Sequence, residues 1–95
     1  MEIQDAYKQK MTAQLKEWAA QINLLEAKVE NVSVDIKIMR AKQLVELRVR
    51  QRAAHEKMRE LEKVSGEAWN QVKVTADKIL DDLKVGIADV QSKFK

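Results

Sequence analysis

Cysteine and proline are absent from this chain, glycine occurs at two positions and histidine at one. Without cysteine there is no disulfide, thiolate nucleophile or cysteine-based metal site. Without proline, no residue obliges a helix to stop or kink. Aromatic residues make up only 4% of the chain, so its 45% hydrophobic content is mostly Ala, Val, Leu, Ile and Met. Such side chains fill helix seams but cannot build a wide globular interior. Nowhere do apolar residues run long enough to span a bilayer, and the N-terminal MEIQDAYKQKM has neither an apolar stretch nor a cleavage site. The expectation is a soluble, cytoplasmic, all-α chain, with 35% charged residues solvating its helices.

The residues present are strongly periodic. Met11, Leu15, Trp18, Ile22, Leu25, Val29, Val32 and Ile36 follow one another in alternating steps of four and three, which is a heptad seam. A second seam runs through Leu44, Leu47, Gln51, Ala54, Met58 and Leu61, reached from Ile36 by two steps of four through Arg40. That inserted four is a stutter, which locally unwinds a left-handed supercoil. Beyond Gly66 the period changes: AWNQVKVTADK (68–78), ILDDLKVGIAD (79–89) and VQSKFK (90–95) align as an 11-residue repeat, with Lys73, Lys84 and Lys95 in register. Apolar steps of four, four and three make this segment nearly straight or slightly right-handed.

A further apolar row accompanies each segment: Ala20, Leu24 and Ala27, then Val34, Ile38, Ala41, Val45 and Val49, then Val74 and Val85. A helix with two apolar rows touches two neighbours, so three helices in cross-section are expected; the alternative is that these are scattered exposed valines of the kind ordinary on a protein surface.

Two places could reverse the chain. Ser65 and Gly66 form the clearer turn, with Gly66 expected to use positive φ just after a helix ending near Lys63–Ser65. The alternative is that Gly66 sits within one long rod, where a lone glycine costs only about 1 kcal/mol. Charge favours the turn. Lys37, Arg40, Lys42, Arg48, Arg50 and Arg52 against Glu46 give residues 37–52 a net +5 in a chain of net +3, so the rest is net acidic. Folding back at 65–66 brings Asp81 and Asp82 near Arg48–Arg50, and Asp89 near Lys42.

The second place, Asn31–Ser33, is β-branched and a mediocre helix former, but it has no glycine, proline or capping box, and the seam runs through it. The preferred reading is therefore one coiled-coil domain over residues 1–95: a helix over about 3–63, a turn over about 64–67 and a helix over about 68–93. The result is an antiparallel hairpin of one long and one shorter helix. A continuous first helix would be about 90 Å long, so the last helix covers only its second half. The seam from Met11 to Ile36 then needs another chain, and a homodimer supplies the three helices in cross-section. The alternative is a compact monomeric three-helix bundle with an extra turn near 31–34.

No phosphate-cradling glycine loop, nucleophile elbow or metal-ligand spacing is present, so no catalytic residue, metal or cofactor is expected, and no enzymatic activity. His55, off the seam among charges, reads as a solvated surface residue. Asp77, Asp81 and Asp82 lack the turn glycine and loop ligands of a calcium site and read as charge-pairing residues. Arg48, Arg50 and Arg52 are the candidate anion contacts. Nucleic acid is nevertheless disfavoured as a partner, since Arg48 and Arg50 point to opposite sides of a helix and no aromatic residues interleave. A membrane surface is conceivable for an 11-residue repeat but disfavoured by the mixed charges on its polar face.

LKEWAAQINLLEAKVE, LEKVSGEAWNQVK and LDDLKVGIADVQSKF together span most of the chain. They resemble a group of small bacterial coiled-coil proteins with apolipoprotein-like helices, some of them cyanobacterial and associated with stress responses such as high light. SGEAW and Phe94 are the most specific parts of the likeness, while Val74 and Ile79-Leu80 depart from it. The resemblance implies a structural or protective role and brings no catalytic residues.

Overall fold

A computed structural model describes residues 3–94; Met1, Glu2 and Lys95, the last of the aligned repeat lysines, lie outside the described residues. The described residues are all-helical: α1 spans Ile3–Val29, α2 spans Val34–Lys63 and α3 spans Gly66–Ser92. The continuous helix over 3–63 is thus two helices, and the third helix of the cross-section comes from the same chain rather than a partner. The molecule measures 51 × 20 × 17 Å, close to the roughly 40 Å of a 27-residue helix plus its turns and far short of about 90 Å.

The break at 30–33 is made without glycine. The amides of Glu30, Asn31 and Val32 donate to the carbonyls of Ala27, Lys28 and Val29, at 3.1–3.3 Å. These i→i−3 bonds tighten the last turn of α1 and satisfy carbonyls a helix end would otherwise leave open. Ser33 is then extended (φ −63°, ψ 158°), and its carbonyl accepts the amide of Lys37 at 2.8 Å, starting α2. The Ser33 hydroxyl makes no capping hydrogen bond to the helix, so the start rests on its backbone carbonyl, and Asp35 places a negative charge in the first turn, where the helix dipole favours it.

At the second reversal Val64 and Ser65 are both extended, and Gly66 has φ +62°. The positive φ is where the sequence led us to expect it, but its use differs. Gly66 opens α3 instead of closing α2, with Ser65 as the residue before the helix and its carbonyl accepting the Trp69 amide.

Met11, Leu15, Trp18, Ile22, Leu25 and Val29 are all buried, and they are buried within one chain. They join Leu44, Leu47, Ala54 and Leu61 of α2 and Trp69, Ala76, Leu80, Leu83, Ile87 and Val90 of α3 in one core. The need for a second chain to cover this seam therefore disappears. Val32 falls in the turn, half-buried, and Ile36 is exposed, so the last two seam positions do not belong to the core. In α3 the apolar steps of the 11-residue repeat face inward from Val72 to Phe94, while Ala68, the first residue of the repeat, is exposed and the neighbouring Trp69 is buried.

Of the two neighbours, α2 carries most of the packing of both α1 and α3. At Gly86, a buried position of α3, a side chain would collide with Arg50 Nη1 and lie 2.8 Å from Leu47 Cδ2. The space a Cβ would take is filled by the tips of the Arg50 and Leu47 side chains.

Gly66→Ala meets no neighbour but forces an L side chain into the left-handed region, which costs about 1–2 kcal/mol. The urea midpoint should fall accordingly. An unchanged midpoint would mean that the turn relaxes to a negative φ at no cost.

Candidate interaction surfaces

The further apolar rows were expected to touch second neighbours, yet they all face solvent. On α2, Val34, Ile38, Val45 and Val49 are 72%, 57%, 63% and 58% exposed, and Ala41 between them is exposed too. Their spacing places them on one line of the helix, on the side away from Leu44, Leu47 and Leu61. Lys37, Lys42, Arg48 and Arg52 flank this line. Leu24 is the exposed counterpart on α1, and Val74 (69%) and Val85 (59%) are those on α3.

Beside the α2 line, a groove of about 490 Å³ opens toward the C-terminal part of α1, floored by Val29, Ala41, Leu44 and Val45. The groove is open to solvent and is not an enclosed pocket. Next to it Arg48, Gln51, Arg52, His55 and Arg59 line a second groove of about 470 Å³. His55 is half-buried and also borders an apolar hollow formed by Leu15, Ala19 and Met58, so it is a groove residue and not simply a solvated one.

The three candidate anion contacts are not brought together. Arg48 turns toward α1, pairs with Glu26 and donates to Asn23 (2.6 Å) and Gln51 (2.8 Å). Arg50 turns toward α3, donating at 3.3 Å to the backbone carbonyl of Asp82. Arg52 alone remains on the open side. What the fold aligns instead is Arg48, Arg52, His55 and Arg59, in steps of four, three and four. Reading the basic residues with the heptad spacing applied to the apolar residues would have found this set. Arg52, His55 and Arg59 form no ion pair and donate no side-chain hydrogen bond among the described residues, whereas Arg48 is held in place.

The fold does bring α3 acids beside the basic stretch, with Arg50 on the Asp82 carbonyl, but their carboxylates do not pair with it. Among the described residues Asp81 and Asp82 form no ion pair, and Asp89 pairs with Lys93 at 3.4 Å. Asp77 does pair, though within α3 and with α1. Its carboxylate accepts the Tyr7 hydroxyl at 2.6 Å and Lys73 Nζ at 2.9 Å. Lys73 also lies 4.9 Å from the centre of the Tyr7 ring, and that ring meets Trp69 edge-on at 5.7 Å. This cluster ties the first turns of α1 to the first half of α3, and no local pattern announces it.

Burial pulls the Asp77 carboxyl pKa up, but the hydrogen bonds from Tyr7 and Lys73 and the charges of Lys73 and Lys10 outweigh it, leaving the carboxyl below its usual range. Burial pushes the Tyr7 hydroxyl well above its usual range, helped by its hydrogen bond to the Asp77 carboxylate and by the charge of that group.

Among the described residues there is no group of His, Cys, Asp or Glu that could hold a metal ion, and no helix long and apolar enough to cross a membrane. No family model, curated protein or solved structure matches the chain.

The two shifts have opposite pH consequences. Asp77, with its pKa lowered on folding, contributes stability above about pH 4 that is lost as pH falls; Tyr7, with its pKa raised, contributes stability below about pH 10 that is lost as pH rises. In thermal melts from about pH 2.5 to pH 11, Asp77→Asn should flatten the acid limb and Tyr7→Phe the alkaline limb. Unchanged limbs in both variants would mean that the cluster is not maintained in solution.

Proposed function

We propose that the chain is a non-enzymatic helical protein that works by self-association, in the structural or protective role its resemblance implies. The supporting observation is the exposed apolar line Val34, Ile38, Ala41, Val45 and Val49 on α2. Single exposed apolar residues are ordinary, but five on one helix face over four turns are the pattern of an interaction surface. The covered seam on α1 no longer argues for a partner, so the weight moves to this other face. A homodimer remains the simplest form. Sedimentation equilibrium across a concentration series should show reversible association of the wild type, weakened at least tenfold by the double substitution Val45→Ser and Val49→Ser. A wild type that stays monomeric to several hundred micromolar would overturn the reading.

A second reading follows from the line of Arg48, Arg52, His55 and Arg59: a module that binds phosphate oxyanions of nucleic acid or of an anionic lipid surface. Arg52 and Arg59, which have no carboxylate partner among the described residues, are free to contact phosphates, and such binding weakens steeply with salt. Binding of labelled DNA and of phosphatidylglycerol vesicles at physiological salt, with the Arg52→Gln and Arg59→Gln double variant alongside, tests it. Binding lost in the variant supports the reading, and no binding to either probe removes it.

A further inference from the structure

The self-association proposed above leaves open which faces meet, and the distribution of charge on the bundle selects among the pairings. The outer face of α2 is apolar and basic. The outer face of α3 is apolar and acidic: Val74 and Val85 lie on it among Glu67, Asp81, Asp82 and Asp89, all exposed. Two α2 faces would set Lys37, Lys42, Arg48 and Arg52 against their own copies, and two α3 faces would do the same with the aspartates. Like charges facing one another across an interface oppose association. Only the mixed pairing brings opposite charges together.

The apolar spacing agrees with the charge. Val74 and Val85 are eleven residues apart, as are Ile38 and Val49, and Val34 and Val45, so both faces repeat at about 16 Å. Val34, Lys37, Ile38 and Ala41 form one four-residue hole on α2. Val45, Arg48, Val49 and Arg52 form a second, eleven residues on. Each hole is of the kind that accepts a single knob from a facing helix.

Direction is set by the charges between the knobs. With the helices antiparallel, Val85 enters the first hole and Val74 the second. Asp81 then lies opposite Lys42, Lys78 opposite Glu46, and Glu67 beside the Arg52 to Arg59 stretch. With the helices parallel, Lys78 lies on Lys42.

We infer that the outer face of α3 in one copy docks antiparallel on the outer face of α2 in another, so that the chain associates head to tail. This rests on the self-association reading and goes beyond it in symmetry. The interface is heterologous, and each copy in a pair keeps one unused face. Two helix faces about 22 Å long bury less than a standard stable interface. Association is therefore weak, concentration-dependent and sensitive to salt.

Complementation tests this directly. Val45→Glu disables the α2 face and Val85→Lys the α3 face; both positions are more than half exposed, and circular dichroism with thermal melting confirms that each variant folds. At a concentration where the wild type associates, each variant alone should be monomeric, while an equimolar mixture forms dimers and nothing larger. A second pair reads the charge register: Asp81→Lys should weaken association by up to about fivefold, and adding Lys42→Glu should restore it. A wild type that never associates defeats the underlying reading. A wild type that associates while Val85→Lys behaves identically, or a mixture that stays monomeric, overturns the head-to-tail arrangement alone.

Discussion

The core of this protein depends on the chain reversing between Val29 and Val34. Six seam residues of α1 can reach α2 and α3 of their own chain only if the helix stops there, and a straight helix would carry them away from the apolar faces they pack on. Stopping costs a few helical hydrogen bonds, several of which return as i→i−3 bonds and as the Ser33 carbonyl contact. Each buried seam residue contributes on the order of 1.5–3 kcal/mol in return. The imbalance explains why a segment with no glycine or proline can still turn.

Once α1 folds back, α2 becomes the spine against which both other helices pack, yet its outer side stays apolar. Charge is then segregated by helix: the cations concentrate on α2, while α3 carries more acids than bases. The close approach at Gly86 and the contact of Arg50 with the Asp82 backbone hold α2 and α3 together mainly through packing. This leaves the acids of α3 turned outward and unpaired with the neighbouring helix. Unspent charge of both signs on different faces is an unusual economy for a structure this small, and it gives the surface a polarity the core does not need.

Much of this was written in the sequence. The seam from Met11 to Val29 is the buried face of α1, the inward stripe of α3 from Val72 to Phe94 follows the 11-residue repeat, and the positive φ at Gly66 is where a glycine was needed. The turn at Glu30–Ser33 was harder to see because Val29, Val32 and Ile36 happen to keep heptad spacing across it, although only Val29 enters the core. The further apolar rows misled for a different reason. In a three-helix cross-section the edges of each buried face are filled by residues such as Gln43, Gln51, Ala53 and Lys57, half-buried through small or aliphatic parts, so a second neighbour requires no second apolar row. The Arg48, Arg52, His55 and Arg59 line was legible in spacing, whereas Arg48, Arg50 and Arg52, close in sequence, diverge around the helix. Tyr7 and Asp77, seventy positions apart, share no signal that one chain segment could carry.

That separation has a kinetic side. Both turns are short, so α1 with α2 and α2 with α3 are neighbours in sequence as well as in space, and hairpins of this kind close early and quickly. Contacts between α1 and α3 span the whole chain, and the Tyr7 hydroxyl on Asp77 is among the most distant of them. Closing a loop of that length directly from the open chain costs more entropy than closing either turn, though the cost grows only slowly with length. Once the two hairpins are formed, α2 itself holds Tyr7 near Trp69 and Asp77, so the most distant contact in sequence is reached through the two local ones.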